Sequence, residues 1–335
     1  MGNTMHMTVL GRTGLAVSRV GLGLAALGRP GYINLGHADD LARDYDVAAM
    51  RARTGAILDA AWAAGVRYFD AARSYGRAEE FLAAWLETRR IAPEAVTIGS
   101  KWGYTYTAGW RVDAAQHEIK EHSLANLERQ AAESGRWLAG QLDLYQIHSA
   151  TLDSGVLNDR AVLERLARLR EEGIAVGLSL SGARQADTLR TAMAVRIDGR
   201  PVFDAVQATW NILEPSAGPA LRQAHDAGMG VIVKEALANG RLTERNTAPS
   251  FAASRRRLEQ VARAHGCGLD ALALAAVLAQ PWVDVVLSGA ATVGQLQANL
   301  TALAVRWDDA TGAALEPIAE DPRQYWSTRS ALPWT

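Results

Sequence analysis

The chain has 335 residues, 49% hydrophobic and 21% charged, a balance that predicts a large packed core and excludes a disordered polymer. Lys and Arg total 35 against 36 Asp and Glu, and the formal charge of −1 leaves no basic excess to hold a nucleic acid or an anionic membrane. Cys267 is the single cysteine, which excludes an internal disulfide and a Cys-based zinc cage. The longest unbroken apolar run, Ala271 to Ala279, is too short to cross a bilayer, and MGNTMHMTVL lacks a signal peptide's apolar core, so a cytoplasmic protein is expected.

In chain order, MTVLGRTGLAVS predicts two short strands about a turn at Gly14, a hairpin suited to plugging one end of a barrel. Eight short runs follow, apolar on both faces as in a parallel sheet covered by helices: Ser18 to Leu24, Val66 to Asp70, Ala95 to Ser100, Leu142 to His148, Ile174 to Leu180, Phe203 to Thr209, Gly230 to Glu235 and Val283 to Gly289. Between them lie helical patterns such as AEEFLAAWLETRR and NDRAVLERLARLREEG, the latter closing on Gly. Strand then helix, eight times and without a linker, predicts an α/β chain folded as one (β/α)8 TIM barrel domain over 1–335. The interval from Ala26 to Tyr45 reads as a long loop, and the tail from Asp308, with Trp326 and Trp334, as a helix with a flap over the mouth or as surface packing.

In such a barrel, polar residues at the C-terminal ends of strands face the active site. Asp70 ends the second strand, Lys101 follows the third, His148 ends the fourth, and Tyr75 lies five residues beyond Asp70, so the four converge. Lys101 is one of only three lysines against 32 arginines, which sets it apart from generic positive charge. A phenol can donate a proton to a carbonyl oxygen while hydride arrives at carbon. A neighbouring ammonium lowers its pKa, and Asp70 holds that ammonium in place. GLGLAALG at Gly21 to Gly28 has the wrong spacing for a Rossmann fingerprint and opens a loop instead of a helix. Trp102, Tyr104, Tyr106 and Trp110 crowd one loop, either as pocket lining or as packing. His37 with Asp39 and Asp40 lacks further ligands at suitable spacing, and no metal is expected.

The segments YFDAARSYG, TIGSKWG and LDLYQIHS resemble the aldo-keto reductases, whose tetrad of Asp, Tyr, Lys and His maps onto Asp70, Tyr75, Lys101 and His148, and the likeness runs from LGRTGLAVS to GAATVGQLQANL. The resemblance implies an NAD(P)(H)-dependent oxidoreductase that interconverts an aldehyde, ketone or sugar lactol with the alcohol or lactone, with Tyr75 as general acid and base. It implies NADP(H) or NAD(H) held by Gly23, Ser179, Ser181, Gln207, Lys234, Leu237, Ser288, Gly289, Ala290, Gln295 and Asn299, and a small-molecule substrate against Trp102 and Trp210. This chain departs from the pattern in three places: Leu180 stands for the Asn that usually follows Ser179, Lys234 for the aromatic residue under the nicotinamide, and Gly289 and Gln295 for the basic residues common in NADP users. Arg241 or Arg306 is a possible substitute for those basic residues. Thr292 to Gln295 also reads as a capping box. Two further classes compete: an aldolase forming a Schiff base on Lys101, and a slow or non-catalytic binding or sensor subunit.

Overall fold

A computed structural model describes residues 5–335; the first four residues of the amino-terminal segment considered above lie outside it. The strands in chain order are β1 (Met7–Val9), β2 (Ala16–Ser18), β3 (Val20–Gly23), β4 (Tyr68–Asp70), β5 (Thr97–Trp102), β6 (Tyr104–Tyr106), β7 (Glu118–Lys120), β8 (Leu144–Ala150), β9 (Ala175–Leu180), β10 (Arg196–Ile197), β11 (Arg200–Pro201), β12 (Ala205–Thr209), β13 (Gly230–Lys234) and β14 (Val285–Ser288). Eight of them, β3, β4, β5, β8, β9, β12, β13 and β14, close in that order into a parallel barrel with helices between, so the predicted (β/α)8 architecture is present. Each of the eight lies inside or within two residues of its predicted run, because strands covered on both faces are mostly apolar along their length.

The predicted hairpin is β1 paired antiparallel with β2. It closes the bottom of the barrel: Leu10 is fully buried, the Arg12 amide donates to Gly228 O at 3.0 Å, and the Gly11 amide donates to Asp284 Oδ2 at 3.3 Å. The main core lies between the β8 to β13 side of the barrel and the surrounding helices, where Leu163, Leu166, Leu221, Leu258 and Leu272 pack on strand side chains such as Val176, Val206 and Val231. The predicted helix AEEFLAAWLETRR forms over Ala78–Arg89 and buries Phe81, Leu82 and Trp85.

At the opposite rim the long loop after β3 contains a short helix, His37–Asp40. The tail forms helices Asp309–Leu315 and Pro322–Ser330, then runs to Thr335, whose backbone exchanges two hydrogen bonds of 3.1 Å with Tyr32. The flap reading therefore holds for the last residues, while Trp326 is core packing. Among the described residues no single helix is long and apolar enough to cross a membrane.

Candidate active site

The C-terminal ends of the strands open into a cavity of about 760 Å3 that touches Asp70, Tyr75, His148 and Gln207 and reaches Gly289, Ala290 and Gln295. Beneath it, Lys101 is fully buried and donates to Asp70 Oδ2, to Ala71 O at 3.0 Å and to Tyr75 Oη at 3.4 Å. His148 Nδ1 lies 3.4 Å from Ser74 Oγ, and its ring meets Tyr75 edge-on at 5.4 Å. The four residues that the sequence singles out thus form one cluster, although Tyr75 comes from a loop and the other three from separate strands.

Local structure explains how that loop is held. The Arg73 amide donates to Lys101 O at 3.0 Å, and the Arg73 side chain reaches buried Glu79, whose carboxylate also accepts from Ser100 Oγ at 2.6 Å and Ser134 Oγ at 2.7 Å. Arg29 donates to Ser74 O at 2.9 Å and to Glu118 Oε2 at 2.9 Å, and its guanidinium lies 5.3 Å from the centre of the Tyr75 ring. The sequence reading missed Arg29 and Glu118; the one local signal is Gly28-Arg29-Pro30-Gly31, two glycines and a proline punctuating the loop after a barrel strand.

The electrostatics partly reverse the expectation for the phenol. Burial first, then the Asp70 carboxylate, push the Tyr75 pKa well above 10, and the charge that most opposes them is Arg29. Burial, followed by the cations Lys101 and Arg29, drives His148 well below the ordinary histidine value, so its imidazole is neutral. The site presents a neutral phenol and a neutral imidazole side by side.

The remaining predicted residues divide. Gly23, Ser181, Gln207, Lys234, Leu237, Ser288, Gly289, Ala290, Gln295 and Asn299 all line the cavity. Ser179 does not: it is buried, and its Oγ accepts the Ser149 amide at 2.8 Å, which braces a residue at φ 53° beside His148. Trp102 and Trp210 are corrected from substrate wall to core. Successive residues on a strand face opposite sides, so once Lys101 points inward Trp102 points to the helices, fully buried. Trp210 packs edge-on against Trp282 at 5.7 Å. Of the four aromatics in the loop, Tyr104 alone lines the cavity, joined there by Tyr32 and by Trp334 from the tail.

Lys234 is not an idle surface lysine. Its Nζ donates to Thr209 Oγ1 at 2.8 Å, and the charged groups around it include Lys101 and Asp70, which places it on the tetrad side of the cavity. Arg241 is buried against Glu320 at 3.1 Å, and exposed Arg306 does not line the cavity; the arginine that does, near Gln295, is Arg245. Helix Val293–Leu300 starts at the predicted Thr292 cap, with Gln295 N donating to Thr292 Oγ1 at 3.1 Å and Gln295 Oε1 accepting the Ala291 amide at 2.8 Å.

Comparison with known proteins agrees with this geometry. The model of the Aldo/keto reductase family matches residues 20–320. An aldo-keto reductase of Strobilurus tenacellus is 25% identical over 329 residues, 91% of this chain and 90% of the relative. Pyridoxal 4-dehydrogenase of Microbacterium luteolum is 30% identical over 160 residues, 42% of each chain. The holo form of an aldo-keto reductase of Bacillus halodurans superposes with a TM-score of 0.71 at 22% identity, covering 95% of this chain and 97% of the other, and a glycerol dehydrogenase of Gluconobacter oxydans with 0.70 at 22%, covering 95% of each. The chain belongs to the aldo/keto reductase family and is an oxidoreductase.

Proposed function

We propose that one barrel domain, residues 1–335, acts as an NAD(P)(H)-dependent oxidoreductase interconverting an aldehyde, ketone or sugar lactol with the corresponding alcohol or lactone. The observation that carries the reading is the convergence of Tyr75, His148, Asp70 and Lys101 at a cavity that also reaches a helix N-terminus. The residues present suit a dinucleotide. Asn239 Oδ1 is buried on the cavity wall without a partner, and Gln207 gives its Nε2 to Asp70 at 2.9 Å, leaving its Oε1 for a carboxamide. A Cβ on Gly289 would meet nothing within 4 Å, so the approach to the helix is open, and the free amides after Thr292 suit an anion. When bound, the nicotinamide supplies or accepts the hydride.

The chain's own part is proton transfer and orientation. In reduction Tyr75 Oη gives its proton to the substrate oxygen, with neutral His148 as a hydrogen-bonding neighbour. Lys101, fixed by Asp70, stabilises the negative charge that develops on the phenol oxygen. In oxidation the same oxygen takes the alcohol proton. The Schiff-base reading is disfavoured, since Lys101 Nζ is buried and committed to Asp70, Ala71 O and Tyr75. Relatives named for pyridoxal and glycerol support the carbonyl and alcohol class without selecting a member of it. The test is a turnover screen of aldehydes, ketones and sugars with NADPH and NADH on the wild type beside Tyr75→Phe. Dinucleotide oxidation that disappears in the variant is expected; borohydride trapping of a substrate on Lys101 would overturn the reading.

A further inference from the structure

The charges around the inner end of the cavity come in pairs. Asp70 holds Lys101, Glu118 holds Arg29 at 2.9 Å, and Glu235 holds Arg329 at 2.6 Å. Lys234 has no carboxylate of its own: it shares Glu235 with Arg329, two cations against one carboxylate, and lies 5.8 Å from the centre of the Trp326 ring. Its Nζ is 3.8 Å from Glu235, beyond hydrogen-bond reach and beside a carboxylate that Arg329 already engages through both Nε and Nη2. Its one hydrogen bond goes to a neutral hydroxyl, that of Thr209. The groups that surround it, Glu235, Arg329, Lys101 and Asp70, sum to zero, so the ammonium is a net positive charge on the cavity wall. Glu244 and Asp270 also line the cavity, but they belong to the loop beyond β13 and to helix Leu269–Leu278, not to the strand ends around Tyr75.

We infer that Lys234 sets which oxidation state of the dinucleotide the protein holds more tightly: its charge, only partly balanced by the carboxylate it shares with Arg329, disfavours the positively charged oxidised nicotinamide and leaves the neutral reduced ring unopposed. This rests on the dinucleotide reading above. It adds a preference between the two oxidation states, which the acid and base roles of Tyr75 leave open. A fixed unit charge a few ångström from another inside a protein changes an equilibrium by about tenfold or more, which sets the scale of effect that a nicotinamide bound beside Lys234 would show. It is also tunable. Burial lowers Lys234 to about 8, while Glu235 is held at about 2, burial drives His148 well below the histidine range, and burial raises Tyr104 to about 12 and Tyr75 well above 10. Among these groups Lys234 alone changes charge between mildly acidic and mildly alkaline pH. The discrimination is therefore full below the Lys234 value and declines above it.

The test is to titrate the wild type, Lys234→Met, Lys234→Gln and Lys234→Arg with NADPH, NADP+, NADH and NAD+ by calorimetry, and to compare the Kd ratio of oxidised to reduced form within each pair. The ratio within a pair is independent of the 2′-phosphate. In the wild type at neutral pH the reduced form binds at least about tenfold tighter, about 1.4 kcal/mol at 25 °C. Lys234→Met and Lys234→Gln lower the ratio by about tenfold, mainly by tightening the oxidised form, and Lys234→Arg preserves it. The wild-type ratio falls as pH rises through about 8, and the Met variant shows no such fall. Equal ratios in wild type and both neutral variants, or a wild-type ratio flat with pH, would overturn the inference. If no dinucleotide binds the wild type, the cofactor reading fails and this inference fails with it.

Discussion

Tyr75 works in surroundings that oppose its ionisation. Burial and Asp70 raise its pKa well above 10, so its proton is present throughout the neutral and mildly alkaline range. His148, lowered well below the ordinary value, is neutral over the same range. With Tyr75 as the proposed acid and base, reduction needs the protonated phenol and oxidation a vacant oxygen, so below the Lys234 value of about 8 the chemical step of reduction stays flat with pH while that of oxidation climbs. Single-turnover rates in each direction check this. Tyr75→Phe keeps the ring packing and removes the proton, and should lower the chemical step by about 10²–10⁴-fold with dinucleotide affinity unchanged. Lys101→Met should cost stability as well as turnover, because it strands buried Asp70 without its ion pair, a loss of about 3–5 kcal/mol in such cases, readable as a lower denaturation midpoint. Lys101→Arg should not restore activity, since a planar fork does not fit the compact site between Asp70, Ala71 O and Tyr75.

Among the elements, the loop that carries Tyr75 depends on a tight backbone crossing. A Cβ on Gly28 would lie 2.1 Å from Tyr75 O and 2.6 Å from the Ala78 amide nitrogen, and Gly28 O accepts the Arg77 amide at 2.7 Å. Gly28→Ala should displace Tyr75 and cost at least about tenfold in kcat even if the barrel folds, because catalytic contacts fail with displacements of about an ångström. Gly55, inside helix Val47–Ala63 with nothing near its missing Cβ, is the counter-case: Gly55→Ala should leave kcat alone and raise stability by about 0.5–1 kcal/mol. The same contrast between local and distant constraint marks what the sequence could reveal. Strand ends were readable because apolar runs stop where the barrel opens, and Asp70, Lys101 and His148 stand at those stops. Trp102 misled because composition near a site suggests lining, whereas strand parity relative to Lys101 sends it outward. The hydroxyl of Ser179 has a partner no sequence pattern signals, the Ser149 backbone amide. Arg29, Glu118 and Arg329 were invisible: they lie far apart along a chain rich in arginine, and only the closing of three separate segments over the barrel mouth brings them to one cavity.

At the scale of the whole molecule, the two outer segments of the chain and the loop beyond β13 knit together over the barrel mouth. Thr335 pairs with Tyr32, Asn239 Nδ2 donates to Ile33 O at 2.9 Å, and Arg245 Nη1 donates to Leu35 O at 2.9 Å. The same Arg245 is ion-paired to Asp40, whose Oδ1 also accepts from Gln295 Nε2 at 2.8 Å. On the proposed cofactor reading, this junction bears on which dinucleotide is preferred. Selective recognition of a 2′-phosphate takes a cation, each charge-assisted hydrogen bond contributing about 1.5–3 kcal/mol. Gly289 and Gln295 offer none, and Arg245 is neutralised by a carboxylate that itself repels phosphate. The helix N-terminus at Thr292 adds only about 0.3–1 kcal/mol for a nearby anion. NADH should therefore serve within about tenfold of NADPH in kcat/KM, a difference below about 1.4 kcal/mol. Asp40→Asn removes the competing carboxylate and leaves Arg245 free beside Gln295, and it should shift preference toward NADPH by about tenfold; Gln295→Arg should shift it the same way by adding a second cation. Measuring kcat/KM for both cofactors in the three proteins checks the argument. A wild-type preference for NADPH above about a hundredfold, roughly 2.7 kcal/mol, would show that Arg245 leaves Asp40 for the phosphate when the dinucleotide binds.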